Sequence, residues 1–298
     1  MAAQRIDAHF VCGGKYHDID FARLEILKIL GDHANIRVTV DSDYRNTAAL
    51  ERADFLISYT CEVIPDEDGQ HALDRFLSEG KRWFALHGTN SILHYRKGAG
   101  WEAPRTAPLF MKMLGSQFVA HPPIQPYEVR ISDPGHPLVS GIEAFQATDE
   151  LYLCEMLDEV EILLETEWSG TTPGFVEHDW SDGRLRPVMY LRNWNKGEVL
   201  YLTLGHARGH FDMQPLMDEY PETERGSWPT PTRRKAPAPL RQDARPGARL
   251  RPDSERAIHL WRICRSRVET HLEQSLVARR AVNGHRGCGR LYLYGNRP

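Results

Sequence analysis

Residues 82–90 read RWFALHGTN, a short apolar run that ends in a histidine and a polar, glycine-containing turn. The run Arg82–Leu86 predicts a buried strand. Similar runs, separated by helical patterns, lie earlier in the chain at Ala8–Cys12, Ile36–Val40 and Asp54–Tyr59. Strands that alternate with helices in this way predict crossover connections and a mostly parallel sheet with helices on both faces. We therefore expect a doubly wound α/β fold.

Two helices are predicted within this region. Phe21, Leu24, Leu27 and Leu30 recur every three residues, as one face of an amphipathic helix does. A second helix is predicted to begin after Pro65, where acidic residues follow the proline, and to end near Ser78.

Beyond Gly115 the pattern changes to strands with little helix between them. They are predicted at Ile124–Ile131, Leu151–Cys154, Glu161–Thr166, Pro187–Arg192 and Val199–Leu204. Asn195–Gly197 is a turn signal between the last two strands, which predicts an added β-hairpin.

The charge of the chain is distributed unevenly. The net charge is −4, yet residues 233–298 contain 16 basic and 5 acidic residues. Residues 1–232 are therefore acidic, and we expect them to form one domain that is followed by an atypical Arg- and Pro-rich tail, partly helical or disordered. The tail is either an extension peculiar to this lineage or an out-of-frame translation of GC-rich coding sequence. It lacks interleaved aromatic residues, so nucleic acid is not an expected partner.

Several classes of protein are excluded by composition. No apolar run approaches the ~20 residues that cross a bilayer, so no membrane association is expected. The N-terminus has no apolar signal segment. Five scattered cysteines without a CxxC pair argue against a disulfide scaffold and suit a reducing cytoplasm.

Histidines follow several of the predicted strands or lie in neighbouring polar loops. They are His17, His87, His121, His206 and His210. In parallel sheets ligands bind at the carboxyl ends of the strands, and this fold class brings those ends together. Because imidazole transfers protons near neutral pH and binds borderline metals, the set predicts a shared functional cavity.

Four motifs in this order resemble the ThuA-like (trehalose utilisation) family. They are a strand ending in Gly13–Gly14 followed by His17–Asp18, the turn Leu86–Asn90, the segment Gly115–Phe118 with His121–Pro122, and a late strand ending in Leu204–His206. The resemblance covers about Arg5–Pro231. It implies a flavodoxin-like sheet similar to that of class I glutamine amidotransferases, and a role in carbohydrate catabolism.

Glutamine amidotransferase activity is not expected of this chain, despite the similarity of fold that the resemblance implies. Amidotransferases present a nucleophilic cysteine at the turn where this chain has His87, and an imidazole cannot form the thioester that glutamine hydrolysis uses. Cys61, which also ends a strand, is the only alternative nucleophile, and a small buried side chain is the simpler interpretation.

The family's association with sugars implies a carbohydrate or keto-disaccharide as the small-molecule partner. His17 or His87 could remove a proton as the base, Asp18 could orient an imidazole, and His206 with Arg208 could hold an oxygen of the substrate. Such an enzyme would be a hydrolase, lyase or isomerase. Alternatively, His17, His87, His206 and Glu62 could hold a divalent metal, and the spacing does not decide between these roles.

Further residues near the same strand ends are expected to bind the substrate. They are Lys15, Tyr16, Thr89, Asn90, His121, Arg208 and His210. Trp101, Trp168, Trp180 and Trp194 lie outside the core pattern and could stack on sugar faces or pack a β-layer. Gly13–Gly14 lacks the remainder of a phosphate-binding motif, and a tight turn explains it. A non-catalytic sugar-binding module is the alternative function, and a homodimer is compatible with such a domain.

Overall fold

The computed structural model describes residues 5–176, 178–181 and 184–206. The predicted tail at 233–298 and the candidate residues Arg208 and His210 lie outside the described residues. Within the described part no helix is long and apolar enough to cross a membrane.

The described chain contains thirteen strands and four α-helices. The strands are β1 (Ile6–Gly14), β2 (Ile36–Asp41), β3 (Phe55–Cys61), β4 (Arg82–Leu86), β5 (His94–Arg96), β6 (Gly100–Glu102), β7 (Ser116–Ala120), β8 (Gln125–Ile131), β9 (Phe145–Asp149), β10 (Leu153–Met156), β11 (Glu161–Glu167), β12 (Leu185–Trp194) and β13 (Gly197–Leu202). The helices are α1 (Ile19–Gly31), α2 (Thr47–Arg52), α3 (Glu67–Ser78) and α4 (Pro108–Leu114).

Nine strands form one mixed sheet in the order β2-β1-β3-β4-β13-β12-β11-β8-β9. The first five are parallel to one another, and the remaining strands pair antiparallel. The predicted hairpin is present as β12 and β13, with Trp194 opposite Gly197. The expected α/β class is confirmed as a strand-rich mixed sheet with few helices.

Helices cover both faces of the parallel strands. On one face α1 buries Ile26, Ile29 and Leu30 against the sheet. On the other, α2, α3 and α4 pack over a second cluster that contains Leu50 and Phe76. Alternate residues of β1 therefore serve different cores, as the two-residue period of a strand requires.

The sequence patterns missed the short elements. Helices α2 and α4 have six and seven residues, too few for their apolar spacing to stand out from a strand or a loop. Strands β5, β6, β7 and β9 were also not predicted. Helix α1 begins at Ile19 rather than Phe21, because the carboxylate of Asp18 accepts a hydrogen bond from Phe21 N and caps the helix.

The register of the parallel strands brings their ends to one edge of the sheet. Gly14 lies beside Cys61, Tyr59 lies beside Leu86, and Leu86 lies beside Leu202. The loops that follow these positions carry His17, His87 and His206. The expected edge therefore forms as the fold class requires.

Three of the four tryptophans considered for sugar binding take part in packing. Trp168 and Trp180 pack partly buried against one core, and Trp194 packs against the other. Trp194 also donates a hydrogen bond from Nε1 to Asp74 Oδ1 at 2.7 Å. Trp101, in contrast, lies on the small β5–β6 hairpin.

Candidate functional site

Four side chains from distant parts of the chain meet at the edge of the parallel strands. They are His17, His87, His206 and Glu150, and their ligand-type atoms all lie within 4.8 Å of one another. The His17 ring centroid is 4.6 Å from that of His87 and 4.8 Å from that of His206. The three imidazoles expected to share a cavity therefore do lie together.

His17 is positioned by the tight loop between β1 and α1. Gly14 has φ +116°, and a side chain there would collide with the carbonyl oxygen of Cys61. The glycine therefore allows the end of β1 to lie close to the end of β3 and the chain to turn tightly there, in agreement with the interpretation from the sequence. Nδ1 of His17 lies 3.0 Å from the carbonyl oxygen of Lys15, which leaves Nε2 directed at the carboxylate of Glu150.

His87 begins a 3-10 turn, His87–Asn90, directly after β4. Its backbone has φ +43°, which is uncommon for a residue with a side chain. Gly88 allows the turn to lie close to the carbonyl oxygen of Thr60, where a Cβ atom would not fit. Nδ1 of His87 lies 2.6 Å from the carbonyl oxygen of Thr203, and the side chain is fully buried.

His206 follows β13 in a loop that is held by a buried carboxylate. Asp149 accepts hydrogen bonds from Gly205 N at 2.8 Å and from His206 N at 3.0 Å. Tyr59 donates a hydrogen bond from its hydroxyl to the carbonyl oxygen of Gly205 at 2.8 Å. These bonds place the His206 ring with Nδ1 2.9 Å from Oε2 of Glu150.

Glu150 and His121 reach the site from the antiparallel part of the molecule. Strand β9 ends at Asp149, which pairs with Gln125, the first residue of β8. Glu150 follows β9 and His121 precedes β8, so both leave the strand pair at the same end. Nε2 of His121 lies 3.3 Å from Oε1 of Glu150, and its Nδ1 lies 2.9 Å from the carbonyl oxygen of Pro122.

The hydrogen bonds of the imidazoles determine which nitrogen carries the proton. A carbonyl oxygen can only accept, so Nδ1 of His17 and Nδ1 of His87 must each donate. In the neutral ring Nε2 then presents a lone pair. Both Nε2 atoms are buried, make no hydrogen bond to a described residue, and lie 3.9 Å and 3.5 Å from Oε2 of Glu150. The lone pairs of His17 and His87 thus point at the carboxylate of Glu150, which when charged can only accept hydrogen bonds.

The protonation states expected from the surroundings agree with this arrangement. Burial, reinforced by the neighbouring His87, lowers the pKa of His17 to about 3, so this ring is neutral at physiological pH. Burial alone would raise the pKa of Glu150. The neighbouring His121 and His206 nevertheless hold the pKa of Glu150 well below its ordinary value, and the carboxylate is charged.

Two of the expected participants have other roles in the structure. Asp18 caps helix α1, and backbone carbonyl groups orient His17 and His87 in its place. Glu62 lies outside the four-residue cluster and accepts a hydrogen bond from Leu93 N. The carboxylate in the cluster is Glu150, because the register of β8 and β9 brings it there.

Thr89 and Asn90 lie beneath the site, where both are buried. Thr89 donates a hydrogen bond to the carbonyl oxygen of Leu86 at 2.8 Å. Asn90 donates from Nδ2 to Ser116 Oγ at 2.7 Å. These bonds stabilise the turn that carries His87. Thr89 and Asn90 were expected to bind the substrate, but their buried side chains support the turn instead.

The remaining candidates lie around the cluster. Lys15 and Tyr16 are exposed in the β1–α1 loop beside His17. Cys61 is buried, and burial raises the pKa of its thiol to about 12, which excludes it as a nucleophile at neutral pH. His136 accepts a hydrogen bond from Leu138 N and caps a short turn between Pro134 and Pro137.

Glu150 is the residue that the sequence analysis missed. The acidic pair Asp149–Glu150 precedes the predicted strand at Leu151–Cys154 and was available as a signal. No histidine or glycine motif accompanies the pair, and β9 itself was not predicted. Without β9, nothing placed these carboxylates at the same edge as the histidines.

A scan against protein-family models matches residues 10–219 to the ThuA family, described as trehalose utilisation. A protein from Bacteroides uniformis described as ThuA-like is similar in structure, with a TM-score of 0.52 and 20% sequence identity over 71% of this chain and 86% of that chain. A second, from Parabacteroides merdae, has a TM-score of 0.47 and 14% identity over 68% of this chain and 81% of that chain. No curated protein matches the chain. The family model spans more than two thirds of the sequence, so the chain belongs to the ThuA family, and this membership suggests a role in trehalose utilisation.

Proposed function

We propose that the protein is a metal-dependent enzyme that acts on a carbohydrate, with a divalent cation held by His17, His87, His206 and Glu150. The observation that carries the proposal is the orientation of Nε2 in His17 and His87. Each atom is buried without a hydrogen-bond partner among the described residues, and each points at a charged carboxylate. A cation between these groups would satisfy all of them, whereas leaving buried polar atoms unsatisfied costs about 1–3 kcal/mol for each atom.

The geometry of the four side chains supports a cation of the zinc type. Ligands that bind a tetrahedral ion at roughly 2.0–2.2 Å lie about 3.5 Å apart. The three imidazole nitrogens lie 2.9, 3.5 and 3.9 Å from Oε2 of Glu150. Three imidazoles and one carboxylate form a donor set that suits zinc, iron, manganese or cobalt more than magnesium or calcium.

The carbonyl groups behind the imidazoles support the same proposal. Histidines that bind metals generally donate the other ring N–H to a carbonyl or carboxylate, which fixes the tautomer and the ring orientation. Lys15 O and Thr203 O accept such bonds from His17 and His87. Nothing in the arrangement requires these two histidines to act as bases, the alternative that the sequence left open.

A bound cation would supply Lewis-acid polarisation of a substrate carbonyl or hydroxyl oxygen. His121 is then the group suited to exchange a proton with the substrate, because its side chain is 24% exposed whereas those of His17 and His87 are at most 4% exposed. The family's description supports a carbohydrate as the substrate, and a keto-disaccharide would offer the carbonyl group that this chemistry needs. The strand order β2-β1-β3-β4-β13 supports the flavodoxin-like form of the fold, which we include in this proposal.

The proposal is tested by metal analysis of protein purified without a polyhistidine tag. We expect about one equivalent of a transition metal per chain after equilibration with zinc or manganese and gel filtration. Glu150→Gln and His87→Gln should lose it, because each removes a ligand. His71→Gln is the matched control, since His71 is 54% exposed on α3. A wild type that retains no metal, or a Glu150→Gln variant that retains as much as the wild type, would contradict the proposal.

A further inference from the structure

Aromatic rings form an arc beside the histidine cluster. The Tyr16 ring lies 6.0 Å from that of Trp101, edge to face, and Tyr95 packs against the same tryptophan at 5.2 Å. At the other end, the Phe175 ring lies 4.8 Å from that of His121. We call Tyr16, Tyr95, Trp101 and Phe175 the aromatic wall.

Both ends of the aromatic wall are tied to the candidate site. Tyr16 precedes His17 directly in the chain, and His121 lies 3.3 Å from the carboxylate of Glu150. The wall therefore extends along the site from its His17 side to its His121 side. A ligand that reached the cluster past this wall would contact these rings.

Backbone hydrogen bonds hold the wall in place. Trp101 N donates to Gly174 O at 2.8 Å, and Val176 N donates to Trp101 O at 2.8 Å. These bonds join the β5–β6 hairpin to the segment that carries Phe175. Trp101 is consequently fixed relative to the cluster by main-chain contacts rather than by its own side chain alone.

Tyr16 adopts an unfavourable backbone conformation, and its ring contacts that of Trp101. Its φ is +66°, in the left-handed region that bulky residues rarely occupy. The residue is nevertheless 39% exposed, so burial in the core does not explain why this conformation is kept. Strained residues of this kind concentrate at ligand sites, and His87 at the same edge also has a positive φ.

We propose that the aromatic wall is a sugar-binding subsite in which Trp101 stacks on the apolar face of a pyranose ring and Tyr16 packs at its edge. The inference rests on the proposed function, because the wall would hold one ring of a disaccharide while the other ring lies at the cluster. Half-buried aromatic faces suit the C–H face of a pyranose, and the ion pair of Arg96 and Glu102 on the same hairpin, 57% and 29% exposed, offers polar atoms for its hydroxyl rim.

The chemistry of the wall predicts a preference for two-ring sugars. A single pyranose can occupy either the cluster or the wall, whereas a disaccharide can contact both. Trehalose is the probe, since it contains two pyranose rings and no reactive carbonyl group, and glucose is the one-ring comparison. We expect the metal-loaded wild type to bind trehalose more tightly than glucose in calorimetric titrations.

Two substitutions, one in strand β6 and one in the β1–α1 loop, test the subsite. Trp101→Ala removes the stacking face, and Tyr16→Asn removes a ring while keeping a residue type that tolerates positive φ. We expect each to weaken trehalose binding by about three- to tenfold, as the loss of one aromatic contact does. Metal content should not change. Trp194→Phe is the control, because Trp194 lies beside Gly197 at the start of β13, at the opposite end of the strand from the cluster, and should leave the affinity as it is.

The outcomes separate this proposal from the preceding one. Weaker trehalose binding in Trp101→Ala and Tyr16→Asn supports the subsite whether or not metal is found, whereas absence of metal contradicts only the proposed cation. Wild-type protein that does not bind trehalose, or equal affinity in both variants and the wild type, would overturn the subsite. If Trp101→Ala does not fold, Tyr16→Asn alone decides, because that residue is exposed.

Discussion

Two buried polar clusters share the turn His87–Asn90, and they satisfy their hydrogen bonds very differently. Beneath the turn, Ser116 Oγ lies 2.7 Å from both Asn90 Nδ2 and Tyr190 Oη, and Tyr190 donates on to Leu114 O at 2.9 Å. Most polar atoms of this lower cluster have partners, with Asn90 Oδ1 the exception. Above the turn, imidazole lone pairs face a carboxylate.

The difference indicates that the lower cluster stabilises the fold and that the upper cluster is suited to bind a ligand. Native proteins rarely leave buried polar atoms unpaired, so each such atom calls for an explanation. The lower cluster contains hydroxyl and amide groups, which can both donate and accept and therefore satisfy one another. In the upper cluster the Nε2 atoms of His17 and His87 face the Glu150 carboxylate with no described donor between them. The same turn is thus held in the core by Asn90 on one side and presents a ligand atom of His87 on the other.

The largest expected effect is on turnover. Comparing turnover with metal content distinguishes the role of His121 from that of the histidines of the cluster. Glu150→Gln should reduce turnover of a keto-disaccharide by at least ~100-fold through loss of the cation. His121→Gln should reduce turnover by roughly 100-fold through loss of proton transfer, while metal content stays at the wild-type level. Steady-state kinetics and metal analysis of the same preparations measure both. If His121→Gln lost the metal as well, His121 would have to be counted as a ligand.

A smaller effect is expected in the lower cluster, and it concerns stability. Ser116→Ala leaves the Asn90 amide and the Tyr190 hydroxyl without their shared partner. This should lower the free energy of unfolding by about 1–3 kcal/mol, measured by urea denaturation. Metal binding should be retained, since Ser116 is not one of the four residues of the cluster above. Ser140→Ala, on an exposed serine, is the control, and an equally small change in both variants would mean that the lower cluster adds no stability.

The stability of the metal-free protein gives the sharpest comparison between the clusters. Replacing Glu150 by glutamine places an amide N–H₂ group, a donor, opposite the lone pairs of His17 and His87. In the presence of a chelator we expect Glu150→Gln to be at least as stable as the wild type, with a gain of roughly 0.5–1.5 kcal/mol. Urea denaturation of both chelated proteins measures it. If the imidazoles were instead protonated partners of Glu150, the variant would be clearly less stable, and the cation proposal would lose its basis.

The smallest effect concerns His9, a buried imidazole that has its own carboxylate partner. Nε2 of His9 lies 2.9 Å from Oδ2 of Asp41. Burial lowers the pKa of His9 despite the opposing effect of Asp41, so below its ordinary value of 6.5 the unfolded chain binds more protons. Stability should therefore fall as the pH falls from about 6.5 through the lowered pKa.

His9→Gln removes this titration and keeps a group that can hydrogen-bond Asp41. We expect its stability to depend less on pH than that of the wild type, by up to about 1 kcal/mol per pH unit. Urea denaturation at pH 5, 6 and 7 gives the slope. Identical slopes in the two proteins would show that His9 does not contribute to acid sensitivity.

The parallel half of the fold was predictable because its signals are local. Strands β1, β3 and β4 are nearly continuous apolar runs, β2 alternates apolar and polar residues, and the helix patterns between them imply parallel pairing without reference to the rest of the chain. The histidines that follow β1, β4 and β13 could likewise be assigned to one edge. The roles of Asp18 and Glu62 could not be assigned, because a capping bond or a bond to Leu93 N depends on distances of a few ångströms.

The amino-acid sequence by itself determined the α/β class, the family, and the edge of the sheet where His17, His87 and His206 would lie. Only the tertiary structure decided that Glu150 completes the cluster, that Thr89 and Asn90 are buried beneath it, and that Trp101 faces Tyr16. The physical reason is the range of the interactions. Periodicity records which face of an element is buried, whereas the direction of a ring nitrogen depends on carbonyl groups such as Thr203 O, which lies 116 residues away from His87 in the chain.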